Sequence, residues 1–157
     1  MQNGRCDLTT GVADAFKIVA TGADGRIDSS LMPVGIGADT AILVASETIA
    51  SGNKVNIWLD GSTPKARRSD ASTAGKEADG FVLAGGNAGD SLTVYFEGRN
   101  TSLSGLTPGA RYYTSAAQPG GITTTPPTAT GNVVQYVGRA YSTTELAFEA
   151  DDGIILA

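Results

Sequence analysis

Two Pro-Gly turns bracket a short aromatic segment within residues 105–121, and this unit constrains the fold more than any other stretch of the chain. Proline fixes its own φ, and a following glycine accepts the positive φ that tight turns need. Pro108-Gly109 and Pro119-Gly120-Gly121 therefore predict two reversals of the chain. Residues 111–116 lie between them and contain two tyrosines, which favour a pleated, half-buried strand. A short strand between two reversals is typical of an all-β protein.

The composition supports this fold class. Only 17% of the 157 residues are charged and 21 are glycine, which favours many turns, while 41% are apolar, which is enough for a sizeable core. The net charge of −5 gives no general attraction to phosphates, so we expect neither nucleic acid nor an anionic membrane as a partner. The chain also lacks an apolar run approaching the roughly 20 residues that a membrane helix needs.

Strand candidates follow one another from residue 41 onward. The clearest is residues 91–97, where Leu92, Val94 and Phe96 alternate with polar residues and so share one face. Asp60-Gly61 predicts a hairpin turn between two further candidates. The first half thus contains candidate strands at residues 41–49, 54–60, 65–68, 81–84 and 91–97, and residues 98–104 are expected to link it to the second half.

The second half repeats the strand order of the first at an offset of 54 to 57 residues. Its candidate strands are residues 111–116, 122–125, 133–138 and 144–149, and Leu146 and Phe148 take the places of Leu92 and Val94. Two copies of a four-stranded unit predict a compact β-sandwich or small barrel with one core between pseudo-repeated halves. The β domain would span residues 41–157, with repeats at about 50–98 and 105–150. We expect the apolar tail after Gly153 to form an edge strand.

Residues 1–40 differ from the rest because they contain few large apolar side chains. We interpret them as an extended N-terminal arm that becomes ordered against the domain, another copy or a larger assembly. Partner contacts are expected from the arm's large side chains and from one aromatic and three basic residues of the β domain: Phe16, Ile18, Val19, Leu31, Met32, Trp58, Lys65, Arg67 and Arg68. For Lys65, Arg67 and Arg68, a solvated strand edge that blocks aggregation is the alternative. Trp58 fits either the core or a subunit interface.

The sequence contains no recognisable catalytic or metal-binding motif. Histidine is absent, which removes the commonest general base and metal ligand, and Cys6 is the only cysteine. Residues 24–28 resemble the middle of a calcium loop, but Ala20, Gly22 and Leu31 occupy positions that need oxygen ligands. We therefore expect no enzymatic activity, no cofactor and no metal site.

Four segments resemble small virion structural proteins of tailed bacteriophages. They are residues 24–40, the run Val55-Asn56-Ile57-Trp58, residues 75–83, and the module that begins at Leu106-Thr107-Pro108-Gly109 and ends at residues 137–140. The last module is also similar to parts of some tail-fibre proteins. The resemblance covers nearly the whole chain, and its motifs are turns and strands.

This resemblance implies a capsid decoration, or cement, protein. Such a protein would be made in the bacterial cytoplasm, sit on the outer surface of the capsid as a homotrimer, and bridge neighbouring major capsid subunits. The arm would supply contacts between subunits. A head-fibre, tail or neck component is the alternative within the same class. A host-glycan-binding module is a third hypothesis, and it predicts Trp58, Tyr112 or Tyr113 exposed in a groove.

Overall fold

The computed structural model describes residues 39–157, and these form an all-β structure without helices, which confirms the expected fold class. The predicted contact residues Phe16, Ile18, Val19, Leu31 and Met32 lie outside the described residues. Twelve strands follow in order: β1 Thr40–Ala45, β2 Lys54–Asp60, β3 Thr63–Arg68, β4 Gly80–Val82, β5 Ser91–Tyr95, β6 Gly98–Asn100, β7 Arg111–Thr114, β8 Ile122–Thr123, β9 Val133–Val134, β10 Tyr136–Ala140, β11 Leu146–Phe148 and β12 Ile154–Ile155.

The first five strands close into a barrel with the order β1-β3-β2-β4-β5. Strands β2 and β3 form the hairpin predicted from Asp60-Gly61, with Asp60 opposite Thr63 and Gly61 at a φ of 65°. The barrel closes because β1 pairs on both sides, antiparallel with β5 and parallel with β3. A closed barrel of this kind leaves no free strand edge.

Strands β6, β11, β10, β7 and β8 form a second, open sheet. Its order repeats that of the barrel, because β6 pairs with β11 as β1 pairs with β5, and β8 pairs with β7 as β3 pairs with β2. The main sheet of each half therefore has five strands, not four, and β9 and β12 of the second half form a separate two-stranded sheet. The strand that was not predicted in the second half is β6. It lies within residues 98–104, so the expectation that these residues only link the halves was wrong. Gly98-Arg99-Asn100 lacks the β-branched and aromatic residues that signal a strand.

The described residues contain two hydrophobic clusters rather than one core between the halves, so that expectation was also wrong. One cluster fills the barrel and includes Val55, Val82 and Val94. The other joins the inner face of the second sheet to side chains on the outside of the barrel, among them Phe81 from β4 and Phe148 from β11. Their ring centroids lie 5.2 Å apart. Because β4 alternates, Val82 points into the barrel and Phe81 points toward the second sheet.

The two Pro-Gly turns around β7 have the geometry that their sequences predict. The Ala110 N–H donates to the Thr107 carbonyl, and Gly109 between them has a φ of 80°. The Gly121 N–H donates to the Gln118 carbonyl, and Gly120 has a φ of 76°. A positive φ at the third residue defines a type II turn.

The C-terminal tail forms the expected edge strand. Strand β12 pairs antiparallel with β9, so that Ile154 lies opposite Val134 and Ile155 opposite Val133. Both isoleucine side chains point largely into solvent, with exposed fractions of 67% and 60%. This two-stranded sheet therefore presents an apolar edge.

Candidate interaction surfaces

Trp58 lies on the outside of the barrel beside the basic residues that were expected to contact a partner. It is directly opposite Lys65 in the β2–β3 ladder, and its indole N–H donates to the Ser46 hydroxyl at 3.2 Å. The Arg67 guanidinium stands 5.2 Å from the ring centroid, within cation–π range. Trp58 is half-buried on this surface. The structure thus brings Trp58, Lys65 and Arg67 together.

Each basic residue of this surface has a polar contact within the chain. Lys65 contacts the Asp60 carboxylate at 2.6 Å, and the Arg67 side chain donates to the Asn56 amide oxygen and the Gly75 carbonyl. Arg68 contacts Glu47 at 2.7 Å. These bonds fix the side chains and reduce the charge left for a partner.

Glu47 and Arg68 form the best-defined of these ion pairs. The Glu47 carboxylate accepts from the Arg68 backbone N–H and from its guanidinium nitrogens at 2.9, 3.0 and 2.7 Å. Partial burial opposes ionisation, but the hydrogen bonds and the charge of Arg68 outweigh it and lower the pKa of Glu47. Both side chains are more than a third exposed, so water screens the pair.

An acidic cleft of about 560 Å³ opens between the barrel and the second sheet. Glu77 and Asp79 line one side, and Asp151 and Asp152 line the other. Desolvation raises the pKa of Asp79, against hydrogen bonds donated by the Ile57 N–H at 2.7 Å and the Asn56 amide at 3.0 Å. Within residues 39–157, no group of three or more acidic, His or Cys side chains is arranged to hold a metal ion.

Gln135 connects the two halves through a buried amide. Its carbonyl oxygen accepts from the Ala78 N–H at 2.7 Å and the Thr114 hydroxyl at 2.9 Å, and its NH₂ donates to the Ala78 and Asp151 carbonyls. The side chain is only 3% exposed. The Gln135 amide thus bonds both the N–H and the carbonyl of Ala78, as a neighbouring backbone strand would. These hydrogen bonds hold the first half and the β9–β10 segment in one arrangement.

Lys54 is completely buried at the same junction. Its ammonium group donates to the Gly52 carbonyl at 2.8 Å, and the Asn100 amide donates to the same oxygen at 2.9 Å. Desolvation lowers the pKa of Lys54 to about 7. The alternation of β2 puts Lys54 on the outer face of the barrel, but the second half of the chain covers that position.

The outer face of the second sheet carries an arginine row, defined as Arg99, Arg139 and Arg111. Arg99 and Arg139 both lie directly opposite Ala147, and Arg139 also lies opposite Arg111, so the row crosses four adjacent strands. The three arginines and Ala147 are all exposed. These are the only cationic side chains in residues 98–157.

Contacts within the chain hold the arginine row in place. The Arg99 guanidinium lies 4.0 Å from the Tyr141 ring centroid, and that of Arg111 lies 4.7 Å from the Tyr136 centroid. Arg139 donates to the Gly109 carbonyl at 2.9 Å. Among the described residues, the single carboxylate within ion-pair distance of the row is Glu145, 3.4 Å from Arg99. Stacking on a ring leaves the guanidinium edge free for another carboxylate.

The aromatic groove that a glycan-binding module would need is not formed by the tyrosines named for it. Tyr112 is buried, and its hydroxyl accepts from the Thr107 N–H. Tyr113 is half-buried and packs edge-on against Tyr136. Sequence reasoning did not identify the arginine row, because the row depends on the registers of four strands that are distant in sequence.

Comparisons of the chain with protein-family models, with curated proteins and with solved structures found no match. Among the described residues, no helix is long and apolar enough to cross a membrane.

Proposed function

We propose that this chain is a structural protein of a phage particle, a capsid decoration protein that bridges neighbouring major capsid subunits. The resemblance of its turn and strand segments to small virion proteins motivates the proposal. The structural observation that carries it is the β12 edge, where two exposed isoleucines lie on a strand that, among the described residues, pairs with β9 on one side only. An exposed apolar edge can add to a neighbour's sheet or pack on its surface.

Further exposed apolar residues lie elsewhere on the β domain. Ile42 and Leu59 belong to the barrel and are 76% and 63% exposed, and Tyr141 follows β10 in the second half. Contacts of this size are individually weak, and an icosahedral shell repeats them by symmetry, so that avidity makes the association strong. In this proposal the N-terminal arm contributes further contacts between subunits, and three chains assemble into a homotrimer only on the capsid surface.

Reconstitution tests the proposal. Purified protein is added to heads of the encoding phage that lack it, and binding is measured together with the temperature at which the heads open. We expect saturable binding and a higher opening temperature. An Ile154→Asp/Ile155→Asp variant should bind more weakly, whereas Thr73→Asp in an exposed loop serves as the matched control. Failure of the wild-type protein to bind heads would exclude the decoration role.

A further inference from the structure

The outer face of the second sheet has a charge pattern that is complementary to itself. Ala147 lies at its centre, with Arg99 and Arg139 on either side across the strands. Glu145 and Glu149 flank the short strand β11, two residues before and two residues after Ala147. The contact between Glu145 and Arg99 puts Glu145 on this face, and alternation continued past Phe148 puts the exposed Glu149 on it as well. Positive charges thus flank Ala147 across the strands, and negative charges flank it along the chain.

From this pattern we infer that two copies of the chain pair through the outer faces of their second sheets, with a twofold axis passing between the two Ala147 residues. A quarter turn about Ala147 exchanges the positive and negative positions. Two faces that stack with their strands nearly perpendicular therefore put arginines of each copy over glutamates of the other. Near-perpendicular stacking is one of the two usual ways in which sheets pack.

The spacing of the face suits this arrangement. Neighbouring strands lie about 4.8 Å apart, and alternate residues along a strand about 6.7 Å apart, so the distances of the four charges from Ala147 differ by only about 2 Å. Arginine and glutamate side chains are long enough to absorb the difference. The small, exposed side chain of Ala147 allows the backbones to approach at the axis, where each Ala147 meets its own copy.

The position of Arg111 selects one of the two possible perpendicular arrangements. Arg111 extends the arginine row beyond Arg139, and the chain beyond Glu149 continues into Asp151. The arrangement that places Arg139 over the partner's Glu149 therefore also directs Arg111 toward the acidic end of the partner. In the same arrangement Arg99 meets the partner's Glu145. Such a contact is isologous, because each pair occurs twice.

The charged groups on this face are held ready for the contact. Arg99 and Arg111 are stacked on tyrosine rings and Arg139 is held by the Gly109 carbonyl, so little side-chain freedom is lost when they bind. The ion pair between Arg99 and Glu145 is long at 3.4 Å, so each side chain can also pair with a charged group of the second copy. The inference goes beyond the proposed function, since a twofold contact neither requires nor supplies attachment to a capsid.

Charge reversal tests the contact in the isolated full-length protein. Analytical ultracentrifugation should show a dimer that weakens as salt increases. Arg139→Glu and Glu149→Arg should each weaken the dimer at least about tenfold, because each places like charges opposite one another twice. The combined variant, Arg139→Glu/Glu149→Arg, restores opposite charges and should recover the dimer. Circular dichroism and Trp58 fluorescence verify that each variant is folded.

Cross-linking at the axis is the independent test. In a Cys6→Ser background, Ala147→Cys should form an intermolecular disulfide on mild oxidation, and Thr73→Cys should not. A wild-type monomer without a cross-link at position 147 would overturn the inference, as would a combined variant that fails to recover the dimer. Binding of heparin to a monomer, lost in Arg139→Glu, would overturn it in favour of an anionic ligand. Each result is obtained without capsids, so it is independent of the reconstitution experiment.

Discussion

The barrel and the second sheet share one strand order but differ in closure. In the barrel, the six-residue strand β1 reaches both β5 and β3 and joins the two ends of the sheet. Its counterpart β6 has three residues and, within residues 39–157, pairs only with β11, and β8, the counterpart of β3, has two residues. Pro126-Pro127 follows β8 closely and prevents its extension. The length of the outer strands therefore decides whether this strand order closes or stays open.

An open sheet must cover its apolar face by other means. The inner face of the second sheet packs against Ala78 and Phe81, which belong to the first half of the chain but point away from the barrel interior. Buried polar groups then fix the docking, notably Gln135 and Lys54. The comparison indicates that the second sheet depends on the outer face of the barrel to complete its core. Substitutions at the junction between the halves should reveal that dependence.

Phe81→Ala should destabilise both halves, although Phe81 belongs to a barrel strand. Removing the ring leaves a cavity against Phe148 and Tyr95, and such substitutions cost about 3–5 kcal/mol. Urea unfolding, followed by Trp58 fluorescence for the barrel and by far-ultraviolet circular dichroism for the whole, should shift to lower urea by both probes. The exposed Leu59→Ala is the control. A shift of the circular dichroism transition without a shift of the Trp58 fluorescence transition would show that the second sheet unfolds separately.

Lys54→Met should abolish the rise in folding stability that the wild-type protein shows between pH 7 and pH 10.5. The folded-state pKa of Lys54 is about 7 and the unfolded value is 10.5, so between these values the unfolded chain binds a proton that the folded chain lacks. Wild-type stability should therefore rise by about 2–4 kcal/mol from pH 7 to pH 10.5 and stay at its lower level below pH 7.

Urea unfolding over this pH range should show the slope in the wild-type protein and in Lys76→Met, and lose it in Lys54→Met. Because the variant buries no charge, it should also be the more stable protein at pH 6. An unchanged slope in Lys54→Met would assign the pH dependence to other groups.

Gln135→Leu should loosen the docking of the halves by about 1–3 kcal/mol. The substitution keeps the volume but leaves the Ala78 N–H and carbonyl, and the Thr114 hydroxyl, without their partner in a buried place. Hydrogen exchange should accelerate at Ala78 and Thr114 more than inside the barrel. Gln118→Leu, at an exposed turn, is the matched control. If the two substitutions changed stability and hydrogen exchange equally, Gln135 would not hold the halves together.

Glu47→Gln should have the smallest effect, about 0.2–1 kcal/mol, because solvent screens the Glu47–Arg68 pair. The pKa of Glu47 is lower in the folded state, so its contribution is present above the unfolded value of 4.5 and is lost as pH falls through the folded value. The difference in thermal stability between wild type and variant should therefore be smaller at pH 3 than at pH 7. An equal difference at the two pH values would contradict the ion-pair explanation.

The sequence predicted the strands that alternate or follow strong turns, and β2 was predicted with the bounds that the structure shows. It did not predict closure, because the parallel pairing of β1 with β3 depends on residues that are distant in sequence. The run at residues 133–138 was expected to be one strand, but Gln135 interrupts it to bridge the halves. The alternation of β2 is enough to place Lys54 on the outer face of the barrel, but its burial depends on the docked second half, which the sequence does not reveal.

A capsid decoration role requires this chain to be an abundant structural part of a phage head. The most direct measurement is the copy number of this chain relative to the major capsid protein, determined by quantitative mass spectrometry of purified particles. A copy number comparable to that of the major capsid protein is the predicted result. A copy number of only a small percentage of it would contradict decoration and indicate a tail, neck or fibre component, and absence from particles would contradict a virion role altogether.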